Sequence, residues 1–147
     1  MTELWQPVPD YEGLYEVSDQ GRVRSLDRPI DTPRGVKRFK GKILSPRLGS
    51  GGYRLVTLYC GRIKKRTERI HVLVLETFVG PRPTPRHDAC HGDGDPSNNA
   101  LANLRWDTRK ENHRDLVRHG TAWFLDPEKV AAQSKRCTEA NYRRWRQ

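Results

Sequence analysis

The sequence predicts an α+β protein: a small basic antiparallel sheet, then a compact hairpin followed by a helix, and a further helix at the C-terminal end. Three observations predict this order. Short runs of β-forming residues separated by turn formers fill most of the first 70 residues, an apolar run covers 71–79, and a helix-capping pattern begins at Thr108. Strand signals therefore dominate the first half of the chain.

The predicted sheet begins with a hairpin. Residues 14–17 and 21–26 flank a turn-like run of Ser, Asp, Gln and Gly, which is typical of two short paired strands. Residues 28–41 are rich in Pro, Gly and basic side chains and predict a long, mobile basic loop. The remaining predicted parts of the sheet are a short strand over 42–47, a glycine turn at 49–52, a strand over 53–60 and a basic return strand over 62–70.

The second half carries the helices. We predict a helix over 71–79, although a run of nine residues also suits a strand, and Gly80-Pro81 ends either element. Short strands are expected at 87–91 and 103–106. Thr108 can cap a helix that runs to about 119, with Glu111 at the capping-box position and Gly120 at its end, and a second helix is expected over 127–146.

Length and composition exclude several classes of protein. The 147 residues suffice for one compact domain or a domain with a small appendage, and no stretch approaches the ~18 apolar residues of a membrane span. The first residues lack the features of a secretory signal, so we expect a cytoplasmic protein, in a bacterial host if the gene is phage-encoded. The three cysteines lie far apart without a CxxC pair, which excludes a disulfide framework and a four-cysteine zinc site.

The charge is unevenly distributed. The chain has 28 Lys and Arg against 18 Asp and Glu, and residues 21–70 carry fifteen basic residues against three acidic ones. A field of this sign favours nucleic acid as the partner, with a generally basic soluble protein as the alternative. The candidate DNA-binding residues are Arg22, Arg24, Arg34, Lys37, Arg38, Lys40, Arg54, Arg62, Lys64, Lys65, Arg66 and Arg109.

The window 88–113 concentrates the residues of a chemical centre. It holds two histidines, four asparagines, four aspartates and one cysteine, on a predicted hairpin followed by a helix. Such an arrangement can hold one metal ion between the first strand and the helix while a histidine faces a phosphate. A cation would neutralise the phosphate and the leaving oxygen, and a neutral imidazole would deprotonate the attacking water.

The same window carries a family resemblance. The strings CHGDGDPSNN (90–99), NLRWDT (103–108) and EN (111–112), with IHVLV (70–74) and Phe78 upstream, resemble the HNH endonucleases of phages and homing elements. The strings WQPV (5–8), YEGLYEVS (11–18) and GRVRSL (21–26) resemble a modular element found upstream of such nucleases and taken to bind DNA. The resemblance implies a ββα-metal centre and hydrolysis of DNA, as a nick or a double-strand break.

The resemblance also assigns roles to residues of the catalytic centre. His91 matches the histidine that acts as general base, Asn103 matches the asparagine that braces the hairpin, and Asn112 matches a metal ligand. Many members have Asp where this chain has Cys90, and a thiol is a poor ligand for Mg²⁺. Asp88 and Asp93 are the nearby oxygen alternatives, so we expect Mg²⁺ and leave Mn²⁺ and Zn²⁺ open.

Other residues of the region have simpler interpretations. We favour a structural role for His71 over metal ligation and place Trp106 in the core, and a solvated position suits His113 as well as a contact to metal or phosphate does. Asn98, Asn99 and Asp93 suit turns better than ligation. Cys60 and Cys137 have no apparent partner.

We therefore predict three regions: a DNA-binding module over 1–69, a nuclease core over 70–120 and a basic tail over 121–147. The expected partner is double-stranded DNA, with no membrane and no small-molecule substrate, and the sequence leaves open whether the protein is a monomer or a homodimer. One alternative is a nucleic-acid-binding protein that keeps the fold without turnover. A zinc-stabilised module that uses Cys90, His91 and His113 ranks last, because adjacent ligands suit a closed tetrahedral site poorly.

Overall fold

The computed structural model describes residues 2–60 and 64–120, together with Glu128 and Lys135, and of Lys64 it describes the backbone alone. Ten strands and two α-helices follow one another in this part of the chain. They are β1 (Trp5–Pro7), β2 (Tyr15–Ser18), β3 (Val23–Ser25), β4 (Arg28–Thr32), β5 (Gly35–Phe39), β6 (Arg47–Leu48), β7 (Arg54–Cys60), β8 (Lys64–Arg69), α1 (Ile70–Phe78), β9 (His87–His91), β10 (Leu104–Thr108) and α2 (Arg109–Arg118). The α+β class predicted from the sequence is confirmed.

The strands form four small antiparallel sheets, ordered β1-β2-β3, β4-β5, β6-β7-β8 and β9-β10. The predicted hairpin around residues 18–21 is β2 and β3, and the predicted strands at 53–60 and 62–70 are β7 and β8. Residues 62 and 63 lie outside the described residues, as does most of the helix predicted over 127–146. Of the strand expected over 42–47, only a bridge from Ile43 to Arg24 and the two-residue β6 form.

The prediction of a mobile loop over 28–41 is wrong, because these residues form the β4–β5 hairpin. Its turn uses the Pro and Gly that suggested a loop: Pro33 follows Thr32, and Gly35 has a φ of 108°. The Thr32 hydroxyl donates to the carbonyl of Gly35 at 2.6 Å and accepts from the amide of Arg34 at 3.3 Å. The side chain of Arg28 lies over the ring of Phe39 at the open end of the hairpin. Pro and Gly are common both in tight turns and in long loops, so amino-acid composition alone does not distinguish a hairpin from a loop here.

One hydrophobic core joins the two halves of the chain. Val8, Tyr15 and Val17 from the N-terminal sheet pack in the same cluster as Leu58 of β7 and Leu75 of α1. Helix α1 has few polar positions because it is covered on several sides, by β2, β7, β8 and β10 among others. The helix predicted over 71–79 is thereby confirmed. No helix in the described part of the chain is long and apolar enough to cross a membrane.

Candidate functional site

The hairpin of β9 and β10 and the helix α2 build the site. Leu104 pairs with His91, and Thr108 pairs with His87, so the strands are in register over their whole length. The side chain of Thr108 accepts a hydrogen bond from the backbone N–H of Glu111 at 3.4 Å, which begins α2 immediately after β10. The predicted capping position is confirmed, and it brings α2 back along β9.

A cleft of about 310 Å³ lies between β9 and α2. Its lining includes His91 and Asn112, two residues that the sequence assigned to the catalytic centre. The polar or aromatic side chains along it are those of Tyr53, Cys90, His91, Asn112, Asp115 and His119. A phosphate group of a nucleic acid is the type of ligand that such a shallow polar cleft can accept.

His91 is fixed by contacts on two sides. Its Nε2 lies 3.2 Å from Oδ1 of Asn99, and its ring packs against His71 with the ring centres 4.8 Å apart. Tyr53 packs on His71 with the ring centres 5.0 Å apart, and the guanidinium of Arg69 lies over the Tyr53 ring at 4.9 Å. The half-buried His91 imidazole is thus held at the edge of the cleft by an amide and by aromatic rings.

His71 lies inside this stack and is only 2% exposed. Burial, then the neighbouring His91 and Arg69, lowers the pKa of His71 to about 3, so this ring stays neutral at physiological pH. The structural role favoured from the sequence agrees with this burial. The contact between His71 and His91 could not be predicted from the sequence, because the two residues belong to different elements.

Asn103 braces the loop between β9 and β10, as the resemblance implied. Its Oδ1 accepts from the backbone N–H of Asp93 at 3.0 Å, and its Nδ2 donates to Asp93 Oδ1 and to the carbonyl of Asn98, both at 2.9 Å. Hydrogen bonds from the Asn98 side chain and the Asp95 backbone, among others, lower the pKa of Asp93 to about 2. The Asp93 carboxylate therefore serves the loop, in agreement with the turn interpretation.

The face of the hairpin beneath α2 carries Cys90 and several ion pairs. Arg105, opposite Cys90, pairs with Asp107 at 2.9 Å and with the buried Asp115 of α2. Asp88 pairs with Arg109 at 3.5 Å. Each of these carboxylates is therefore partnered by an arginine.

Cys90 is buried, and its thiol points to the carbonyl of Asp88 at 3.4 Å. Burial raises the pKa of Cys90 to about 11, so the group is a neutral thiol near neutral pH. A neutral thiol is not a ligand for a hard cation. Within the described residues, no group of three His, Cys, Asp or Glu side chains is arranged to hold a metal ion.

Sequence reasoning missed three residues of the cleft, Tyr53, Asp115 and His119, and it assigned Asn99 to a turn without its contact to His91. Asn99 is 6% exposed, and the Nε2 atom of His119 is buried without a hydrogen-bond partner in the described part of the chain. Local sequence holds little signal for them because their contacts join distant segments. Trp106 is half-buried against the core, with its indole N–H donating to the carbonyl of Gly80 at 3.0 Å.

Several of the candidate DNA-binding cations are already paired. Arg22 pairs with Glu3 and Arg24 with Glu16, and both guanidiniums lie over the ring of Trp5. Arg66 pairs with Glu68, and Arg38 lies 4.0 Å from Asp27. The side chains of Arg62 and Lys64 lie outside the described residues, Arg54 is half-buried, and Lys65 is exposed.

Three exposed cations lie on or next to the β4–β5 hairpin, and we call them the hairpin cations: Arg34, Lys37 and Lys40. No carboxylate among residues 2–60 and 64–120 forms a salt bridge with any of them. Their charge is therefore available to a phosphate backbone. This contrasts with Arg22 and Arg24, whose charges are offset by neighbouring glutamates.

Comparisons with known proteins give consistent findings. Residues 3–59 match the NUMOD4 motif and residues 68–114 match the HNH endonuclease family, so both resemblances seen in the sequence are confirmed. The chain is similar to DNA endonuclease I-HmuI of Bacillus phage SP01, with 33% identity over 128 residues, which cover 86% of this chain and 65% of the phage protein. It is also 33% identical over 119 residues to an uncharacterized HNH endonuclease of Acanthamoeba polyphaga mimivirus, covering 79% of this chain and 26% of that protein.

The fold has a counterpart among solved structures. This chain is similar to a solved structure described as "DNA binding and cleavage by the HNH homing endonuclease I-HmuI". The two superpose with a TM-score of 0.66 and 31% sequence identity, and the match covers 90% of this chain and 66% of the solved chain. The chain thus spans just under two thirds of the length of I-HmuI and about a quarter of the mimivirus protein.

Proposed function

We propose that this chain, which joins a NUMOD4 motif over 3–59 to an HNH endonuclease domain over 68–114, is a DNA endonuclease that hydrolyses phosphodiester bonds of double-stranded DNA with the help of a divalent metal ion. The observation that carries the proposal is the cleft in which His91 and Asn112 lie together. One supplies an imidazole and the other an amide oxygen to the same cleft.

His91 is the proposed general base. A neutral imidazole has one nitrogen with a lone pair, which can take a proton from the attacking water. The contacts from Asn99 and His71 restrict the ring to one orientation. Because the ring is already oriented, less activation free energy is needed to align it with the water and the phosphorus.

HNH endonucleases generally use a divalent metal ion. The donor set fits a cation that the protein holds only in part: Asn112 offers an uncharged oxygen, whereas Asp88 and Asp115 are paired with arginines and Cys90 is a neutral thiol. Mg²⁺ commonly keeps several waters and shares its coordination with substrate phosphates. We therefore propose Mg²⁺ with Asn112 as its protein ligand, and when bound the ion neutralises negative charge on the reacting phosphate.

The hairpin cations support binding of the DNA backbone. Phosphate contacts by exposed Lys and Arg position a protein on DNA without reading its sequence. The expected products carry 5′-phosphate and 3′-hydroxyl ends. Cys90, which replaces a common aspartate, favours the second candidate function, a DNA-binding protein of the same fold without turnover.

The experiment is cleavage of supercoiled plasmid and of phage or bacterial genomic DNA with Mg²⁺, Mn²⁺, Zn²⁺ or EDTA. We expect nicked or linear DNA with Mg²⁺, none with EDTA, and none with the His91→Ala variant. DNA that is retarded in a gel yet intact with every metal would contradict the proposal and favour the binding protein. Cleavage that persists in EDTA would contradict the metal requirement.

A further inference from the structure

The N-terminal motif closely approaches the loop between β9 and β10 at Gly21. Gly21, in the turn between β2 and β3, has a φ of 77°, and a Cβ atom added there would lie 2.6 Å from Cβ of Asn99 and 2.7 Å from its carbonyl oxygen. The backbone N–H of Leu101 also donates to the carbonyl of Asp19 at 2.8 Å. The loop that carries Asn99 therefore packs directly on a turn that lies about eighty residues earlier in the chain.

The side chain of Asn99 has one defined orientation. Its Nδ2 donates to the carbonyl of Ser97 at 3.2 Å, and turning the amide over would place two oxygens against each other. Oδ1 is consequently the atom that faces Nε2 of His91 at 3.2 Å. Because Asn99 is only 6% exposed, little water competes for this contact.

This contact determines where the imidazole carries its proton. An amide oxygen only accepts, so Nε2 of His91 must be the nitrogen that carries hydrogen. A neutral imidazole carries one N–H hydrogen, which leaves the lone pair on Nδ1. No hydrogen bond from the described residues engages Nδ1, and His91 lines the cleft, so Nδ1 is the nitrogen available to a water molecule.

We propose that Asn99 is a positioning residue that holds His91 in the Nε2–H form and so makes Nδ1 the general base, and that Gly21 of the NUMOD4 motif is required to seat Asn99. The inference rests on the proposed function, in which His91 is the base. It gives the N-terminal motif a second role, because the same module that would contact DNA also completes the support of the catalytic histidine.

Two variants and a matched control test the inference. Asn99→Ala removes the acceptor, and Gly21→Ala places a methyl group where Asn99 lies. Gly13→Ala is the control, because Gly13 also belongs to the NUMOD4 motif and has a φ of 74°, yet nothing lies within 4 Å of an added Cβ. Gly13→Ala and Gly21→Ala both place alanine at a positive φ of similar size, 74° and 77°, so the main difference between the two variants is the displacement of Asn99.

The first measurement is the tautomer of His91 in the metal-free full chain, from the side-chain ¹⁵N resonances at about pH 8, with His91→Gln identifying the signals. The ¹⁵N chemical shifts of a protonated and an unprotonated ring nitrogen differ widely, so the spectrum identifies the tautomer. We expect Nε2–H in the wild type and in Gly13→Ala, and a mixture of tautomers in Asn99→Ala and Gly21→Ala. A wild-type protein with the proton on Nδ1, or an Asn99→Ala protein with an unchanged tautomer, would overturn the inference.

The second measurement separates kcat from KM. We expect about a 10- to 100-fold loss of kcat in Asn99→Ala and Gly21→Ala, with KM for DNA within about twofold of wild type, since support of a functional imidazole typically has this effect. Unchanged kcat in both variants would overturn the positioning role. A wild type that never cleaves DNA would instead refute the proposed function, and the ¹⁵N tautomer would still decide the structural claim.

Discussion

The state of Cys90 leads to a prediction about metal binding. The thiol is 2% exposed and burial raises its pKa to about 11, so at about pH 8 only about one molecule in a thousand carries a thiolate. Making that thiolate available costs about 4 kcal/mol at this pH. Mg²⁺ binds sulfur too weakly to offset such a cost.

The perturbation is Cys90→Ser, whose hydroxyl can donate to the same Asp88 carbonyl that the thiol reaches at 3.4 Å. We expect the Mg²⁺ concentration that gives half-maximal cleavage to stay within about twofold of wild type, because a neutral thiol holds no Mg²⁺. Cys90→Asp adds an oxygen ligand opposite Arg105, and we expect it to lower that concentration by about tenfold.

The assay is plasmid nicking titrated with Mg²⁺ between about pH 8 and pH 10. If the thiolate were the ligand, cleavage at subsaturating Mg²⁺ would rise about tenfold for each pH unit, because the thiolate fraction does. Such a rise in wild type that is absent from Cys90→Ser, or a large increase in the half-maximal Mg²⁺ concentration in Cys90→Ser, would refute this reasoning. Thermal unfolding of each variant serves as the control for folding.

Three further predictions follow from other contacts. Asn103→Ala removes three hydrogen bonds of the β9–β10 loop, and we expect it to lower the free energy of unfolding by about 2 kcal/mol in urea titrations, with no change contradicting the bracing role. The pKa of Asp93 is held at about 2, below its ordinary 3.8, so its carboxylate stabilises the fold above about pH 4 and this contribution is lost as the pH falls towards 2. The difference in stability between wild type and Asp93→Asn should therefore shrink over that range, whereas a constant difference would count against the assignment. Replacing the three hairpin cations by alanine should reduce the slope of log Kd against log salt for DNA by about 2 to 3, whereas Arg22→Gln should leave it nearly unchanged because Glu3 already offsets that charge. Equal effects of the two changes would show that pairing does not decide which cations meet phosphates.

Local patterns in the sequence were enough to predict much of the framework. Helix α2 begins directly after Thr108 and ends before Gly120, which has a positive φ. Both ends could be predicted because helix capping and termination depend on residues that are neighbours in the sequence. The apolar run after residue 70 forms α1 for a similar reason. The hairpin of β4 and β5 was missed because Pro33 and Gly35 are equally common in loops and tight turns, and only the pairing of the flanking strands distinguishes the two.

The support of the site depends on contacts between distant segments. Glycine at position 21 reads as an ordinary turn residue, and its close approach to Asn99 appears only when the chain is folded. The stack of Tyr53, His71 and His91 likewise joins three elements. Counting charges identified a basic region, but the glutamates that pair with Arg22 and Arg24 lie 19 and 8 residues away.

The central claim is that His91 is the base of a DNA-cleaving centre shared with Asn112. The most direct measurement is single-turnover cleavage of DNA, with binding measured separately, for wild type and His91→Ala. We predict that His91→Ala loses about 10²- to 10⁴-fold in cleavage rate while its Kd for DNA stays within about twofold. Cleavage by His91→Ala within about threefold of wild type would contradict the account.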